Sequence, residues 1–260
     1  MASANIWRKI RSFLLPLLFW LLIWQLAAWL VALKVQGRGN ELLLPYPISV
    51  ARSLLQLCQQ PDFWQNVCFS LLRVVQGMVW GMIIGCLLAL LTCWLPLADQ
   101  LLSPVIRVIR ATPVASFILL VLLWTARTNV PVVIAALMVL TVVWENLCRG
   151  IRAVDPQLLE MAKCYRFSPL KTILLVYLPS LKPFFAAAIT NAMGLAWKSA
   201  VAAEVLCTPV KAAGTQIYYT KLYLEIPDLF AWTVVIVTLS LILEKLLLWA
   251  LSPRRKGVTA

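Results

Sequence analysis

Along the 260 residues, long apolar runs with few or no charges alternate with polar connectors. The first run, 13–33, is 21 residues long, enough for a helix to cross a hydrocarbon core of about 30 Å. It is too long for the core of a signal peptide and ends in no clear small-x-small cleavage site, so it reads as a retained helix. Further runs at approximately 67–95, 104–126, 130–148, 184–206 and 229–251 complete the expectation. The pattern predicts an all-α membrane protein of six transmembrane helices in one domain over 1–260. Between the first two runs, Lys34 to Gln65 turns polar around Pro45, Pro47 and Pro61, with an amphipathic patch from Ser49 to Leu57. This predicts an external loop carrying a surface helix.

Details within the runs add expectations. The second carries Gly77, Gly81 and Gly85, a double small-xxx-small repeat that lets another helix approach closely. The third is introduced by Arg107 and Arg110, with Pro113 as its expected kink. The fourth is capped by Asn129, opened by Pro131 and holds Glu145 near its inner end, within reach of Arg149 or Arg152. Two readings of Glu145 stand, a structural ion pair and a proton relay. The fifth run is rich in alanine, glycine and serine, the composition of a helix packed on several sides.

Charged residues inside the runs are the candidates for a solute path. Arg73 lies near the outer end of the second span, either snorkelling to the interface or lining the path. In the fifth, Lys198 falls in the outer half of the bilayer and Glu204 close to the outer surface. Six residues apart, they lie on different sides of the helix and do not pair, whereas Trp197 and Glu204, seven apart, share a face. Each charge needs a partner from another helix or subunit. Lys198 either snorkels outward or faces a subunit interface and attracts an anionic solute, with Trp197 and Ser199 shaping the path.

Composition sharpens this picture. With 62% hydrophobic and 13% charged residues, the chain is too apolar for a soluble domain. The net charge of +13 comes from basic residues flanking apolar runs, which is topology information and not a nucleic-acid footprint. Six spans put both termini on one side. Fourteen Lys and Arg fall on that side, including Arg8, Lys9, Arg11, Arg254, Arg255 and Lys256, against six on the other, including Arg38, so the termini are expected in the cytoplasm. Seven scattered cysteines without a CxxC pair, and no histidine at all, leave no metal-site or redox pattern. No G-x-x-x-x-G-K-[ST] loop is present, so the chain is not expected to bind or hydrolyse ATP itself. Catalytic residues, bound cofactors and enzymatic activity are not expected.

The connector from Asp155 to Pro183 organises the rest. It holds charges and three internal prolines, Pro156, Pro169 and Pro179, and is expected at a membrane face. Asp155 before Pro156, and Ser168 before Pro169, are two helix starts, predicting two short helices that meet at an angle. In the first, Leu158, Leu159, Ala162 and Tyr165 form one apolar face while Glu160, Lys163 and Arg166 point elsewhere. That face needs something to be buried against.

Glu160, Met161 and Ala162, followed by Val176, Tyr177, Leu178 and Pro179, resemble the EAA loop of binding-protein-dependent ABC transporter permeases. The pattern E-A-A, three residues, G, nine residues, I-x-L-P keeps its spacing here, with Met161 in place of the first alanine and Arg166 in place of the glycine. The runs SLLRVVQGMVWGMIIG and GLAWKSAVAAEVL are similar to the branch that imports nitrate, sulfonates and taurine. The likeness extends over about two thirds of the chain, from Ser70 to Glu244. It implies a type I ABC importer permease in the inner membrane, forming the translocation path. It also implies two cytoplasmic ABC ATPase subunits, which hold the ATP and Mg²⁺, a second permease copy as a homodimer, and an extracytoplasmic solute-binding protein. Leu158, Leu159, Glu160, Met161, Ala162, Tyr165 and Arg166 would then form the ATPase-coupling site.

Overall fold

The computed structural model describes residues 2–34 and 43–251, and every described element is helical. Arg38, Arg254, Arg255 and Lys256, which entered the charge count, lie outside the described residues, as do the side chains of Arg8, Lys9 and Arg11. Two compact units are formed, one of residues 1–65 with 216–236, the other of 66–215 with 237–260.

The first unit contains α1 (Ala2–Lys34), α2 (Pro47–Cys58) and the start of α3 (Pro61–Trp94). Pro47 opens α2 after an extended Tyr46, where its missing N–H costs nothing. Aromatic side chains hold the unit together. The Trp24 indole N–H donates to the Pro45 carbonyl at 3.1 Å and its ring lies 5.8 Å from Phe230, while Phe63 packs 4.9 Å from Trp232.

In the second unit α3 continues into α4 (Pro96–Ala111), α5 (Val114–Trp124) and α6 (Val130–Arg152). The connector follows with α7 (Pro156–Cys164) and α8 (Pro169–Thr172). A π-helical turn, Ile173–Tyr177, leads into α9 (Leu178–Cys207); most of α10 (Ala213–Leu222) and the start of α11 (Ile226–Leu251) belong to the first unit, and the rest of α11 to the second. The core lies where α6 and α9 pack along their lengths. Ala188, Ala192, Ala196, Ala200 and Ala203, three or four apart, are fully buried, as are Ile134, Ala135, Val139 and Val143. The glycines of α3 meet the same α6. A β-carbon at Gly77 would lie 2.5 Å from that of Ala135, and one at Gly81 would lie 2.6 Å from the Ala136 carbonyl oxygen, so only glycine permits this approach.

Among the described residues, four helices are long and apolar enough to cross a membrane: 61–94, 130–152, 169–207 and 226–250. A fifth span exists if α4 and α5 are taken together, but they meet at 112°, a break rather than the kink expected of Pro113. Proline pushes the residue before it out of the helical region, and Thr112 is indeed extended at ψ 134°, so the helix stops and restarts. A second departure is α8. In place of a short helix at an angle, Ser168 starts a helix that runs without interruption to Cys207. The wider π turn falls immediately before Pro179, which has no N–H to contribute to the ladder.

Candidate functional site

Asp155 caps α7, accepting from the Gln157 N–H at 2.9 Å, and Pro156 takes the first helical position. The apolar residues of α7 divide between two directions. Ala162 is buried and Leu159 half-buried, packed with Val154, Val176, Phe167 and Tyr177 of the connector itself. Leu158, Met161 and Tyr165 are left exposed, Tyr165 at 73%, and Glu160 and Lys163 are exposed beside them.

The end of α7 explains Arg166. Its φ of 49° is left-handed, the conformation glycine takes most cheaply. The Phe167 N–H bonds to the Ala162 carbonyl at 2.9 Å and the Arg166 N–H to that of Lys163 at 3.0 Å, the paired closure of a Schellman turn. Phe167 then packs into the connector core. The turn is thus made with arginine where the resemblance has glycine, at a cost of roughly 1 kcal/mol.

At the other end of the helix 169–207, Glu204 is 1% exposed yet fully partnered. It accepts from Ser70 Oγ at 2.7 Å, from Arg73 Nη1 at 3.2 Å and from the Gly214 N–H at 3.1 Å. Arg73 also donates to the carbonyls of Val210 and Lys211, each at 3.0 Å, and Ser70 Oγ accepts from the Ala213 N–H at 2.9 Å. One buried cluster therefore fastens the segment 208–214, in which Thr208 and Lys211 take left-handed φ values of 45° and 53°, to α3 and α9. A carboxylate removed from water is tolerated here because a guanidinium and two further donors replace its hydration.

The remaining candidates scatter. Glu145 bridges Arg110 and Arg149, while Arg152 instead lies 3.7 Å from Asp99. Trp197 and Ser199 are buried within the helix packing, the Ser199 hydroxyl donating to the Ala196 carbonyl at 3.2 Å. Lys198 is exposed, on a face of α9 shared with Asn191, Leu195 and Ala202. Of the six path candidates, Arg73 and Glu204 come together.

Residues 77–256 match the family described as the binding-protein-dependent transport system inner membrane component. The chain belongs to that family. It is a multi-pass inner-membrane permease subunit of an ABC transporter, a transport component that works with ATPase and solute-binding-protein partners. The bicarbonate transport system permease protein CmpB of Synechocystis sp. is 28% identical over 222 residues, covering 80% of this chain and 77% of its own. The putative aliphatic sulfonates transport permease protein SsuC of Escherichia coli is 28% identical over 202 residues, covering 76% and 75%. These relatives put the permease in the nitrate, sulfonate and bicarbonate branch. The crystal structure of an amino acid ABC transporter with histidines shares the fold, with a TM-score of 0.63 at 20% identity over 76% of this chain and 95% of that one.

Several residues of this permease's sites escaped the sequence reading. Ser70 precedes Arg73 by one helical turn and so lies on its face, a signal that was available. Gly214 carries no motif, but a β-carbon there would sit 2.6 Å from that of Glu204 and 2.8 Å from the Val201 carbonyl oxygen. Asp99 and Ser103 lie one turn apart within α4, a spacing that was legible, whereas its other partner, Arg152, comes from a different helix.

Proposed function

We propose that the chain acts as one permease domain of a homodimeric importer, with six spans and both termini in the cytoplasm, and that α7 is where the ATPase docks. The observation that carries this is the division of α7. Leu159 and Ala162 anchor it to its own connector, while Leu158, Met161 and Tyr165 stay uncovered outside the apolar spans. The reading of six spans is supported by the four long helices, with the bent pair α4–α5 and α1, apolar over the described stretch Leu18–Lys34, taken as the other two. The cytoplasmic side is supported by the excess of basic residues on the connector side. Glu160 pairs with a basic group of the ATPase, and Arg166 sets the turn that aims the helix. ATP and Mg²⁺ are held by that partner and not by this chain. Small oxyanions are the proposed solute class, supported by relatives named for bicarbonate and aliphatic sulfonates and by Lys198 on an open face of α9.

Two measurements test the reading. Leu158→Asp and Tyr165→Ala each remove a contact of about 1.5–3 kcal/mol if docking buries the side chain, so the ATPase should no longer co-purify and uptake should fall. Normal assembly and transport by both variants would remove α7 as the docking site. For orientation, an impermeant thiol reagent on intact cells should label a chain retaining only Cys58 in preference to one retaining only Cys164, and the reverse order would invert the topology. Cys207 is unsuited to this test because it is buried.

A further inference from the structure

We propose that a basic pocket between α4 and the C-terminal end of α6 binds the phosphate group of an anionic phospholipid. The cavity has a volume of about 340 Å³, and its charged lining is Asp99, Arg107, Arg110, Glu145, Arg149 and Arg152. Four guanidiniums face two carboxylates, and both carboxylates are already engaged. Glu145 is shared by Arg110 and Arg149, and Asp99 accepts from Ser103 and lies 3.7 Å from Arg152. Arg107 makes no ion pair among the described residues. The pocket therefore carries two uncompensated positive charges in a planar, multi-donor form suited to phosphate oxygens.

The other side of α4 names the source of that phosphate. Leu97, Leu101, Val105 and Val108, spaced four, four and three residues apart, form a stripe exposed by 71%, 64%, 54% and 63%. Ser103 and Ile106, on the opposite side, are buried towards the pocket. α4 meets α5 at 112°, so the stripe ends at the break and does not continue along α5. A helix with an apolar stripe on one side and arginines on the other matches the boundary between acyl chains and headgroups, where clustered basic residues attract anionic lipid. Free phosphate would use the same arginines, but only a lipid also uses the stripe. With the orientation proposed above the lipid would lie in the inner leaflet; lipid binding itself does not depend on that orientation.

The test uses the purified full-length chain in detergent, with short-chain phosphatidylglycerol, phosphatidylcholine and inorganic phosphate as separate probes in a binding titration. Phosphatidylglycerol should bind about tenfold more tightly than phosphatidylcholine. Arg107→Gln should erase that preference and Arg107→Lys should keep part of it, while Arg127→Gln, outside the pocket, should leave it intact. Leu101→Gln with Val105→Gln should weaken lipid binding, with unfolding temperatures confirming that each variant is folded. Equal affinity for the two lipids, or a preference that survives Arg107→Gln, overturns the proposal. Inorganic phosphate binding as tightly as the lipid would overturn the lipid assignment, and Arg107→Gln releasing the ATPase with no lipid preference in the parent would make the pocket a protein contact. A reversed thiol-labelling order together with retained lipid preference would sink only the orientation.

Discussion

Arg73 and Glu204, 131 residues apart in the chain, meet as a buried ion pair at 3.2 Å, with side chains 10% and 1% exposed. Neither charge stands at the membrane on its own account. Their shared neighbours are the backbone of 210–214 and Ser70, so the pair is the fastener of that segment rather than an open binding group.

Removing either charge leaves the other buried and alone, which costs about 3 kcal/mol or more. Arg73→Met and Glu204→Gln should each lower the stability of the purified permease by that order, and the double variant should lose clearly less than the sum of the two. A double-mutant cycle on denaturant unfolding measures the coupling. Strict additivity would mean the two side chains act separately.

Gly214 and Gly194 should respond oppositely to alanine. At Gly214 the added methyl meets a backbone oxygen at 2.8 Å, so a loss of roughly 1–3 kcal/mol is expected. At Gly194 nothing lies within 4 Å, and removing a mid-helix glycine should add about 0.5–1 kcal/mol. Unfolding temperatures of the two variants check this, and equal losses at both sites would contradict it.

Arg166→Gly should stabilise the connector by roughly 1 kcal/mol, because glycine adopts the φ of 49° without strain. Arg166→Ala should gain nothing. Protection of the Phe167 amide, which closes the turn, is the sensitive readout by hydrogen exchange. A more exposed Phe167 amide in the glycine variant would show that the arginine side chain itself holds the turn.

Lys198→Gln should reduce uptake in reconstituted vesicles while assembly and basal ATP hydrolysis stay near the parent level, and Lys198→Arg should recover part of the loss. Lys198 is exposed and makes no hydrogen bond or ion pair among the described residues, so its substitution leaves the packing of α9 intact. Unchanged uptake by the glutamine variant would remove Lys198 from the solute path.

Periodicity and residue type made the helices and the family resemblance legible, and charge made the need for partners legible, but not the partners themselves. Glu204 visibly required a counter-charge, yet nothing local selects Arg73 over other basic residues. The apolar face of α7 was evident from spacing, whereas its division depends on Val176 and Phe167 folding back over Leu159 and Ala162, a contact between separate elements. Pro113 announced a disturbance, but whether a proline kinks or ends a helix depends on what the preceding residue can bond to, and Thr112 finds its amide partner only in α4. The π turn is not announced by its own residues, 173–177. It shows only in how the ladder reaches Pro179.

The uninterrupted helix from Pro169 to Cys207 has a mechanical consequence. Its 39 residues make a lever roughly 55–60 Å long, with the connector at one end and Glu204 near the other. The alanine stripe against α6 is its fulcrum. A tilt of about 10° about the middle of that stripe, about 12 Å from Glu204, would swing Glu204 in the opposite sense by about 2 Å, and the segment 208–214, tied to that carboxylate, would be carried with it.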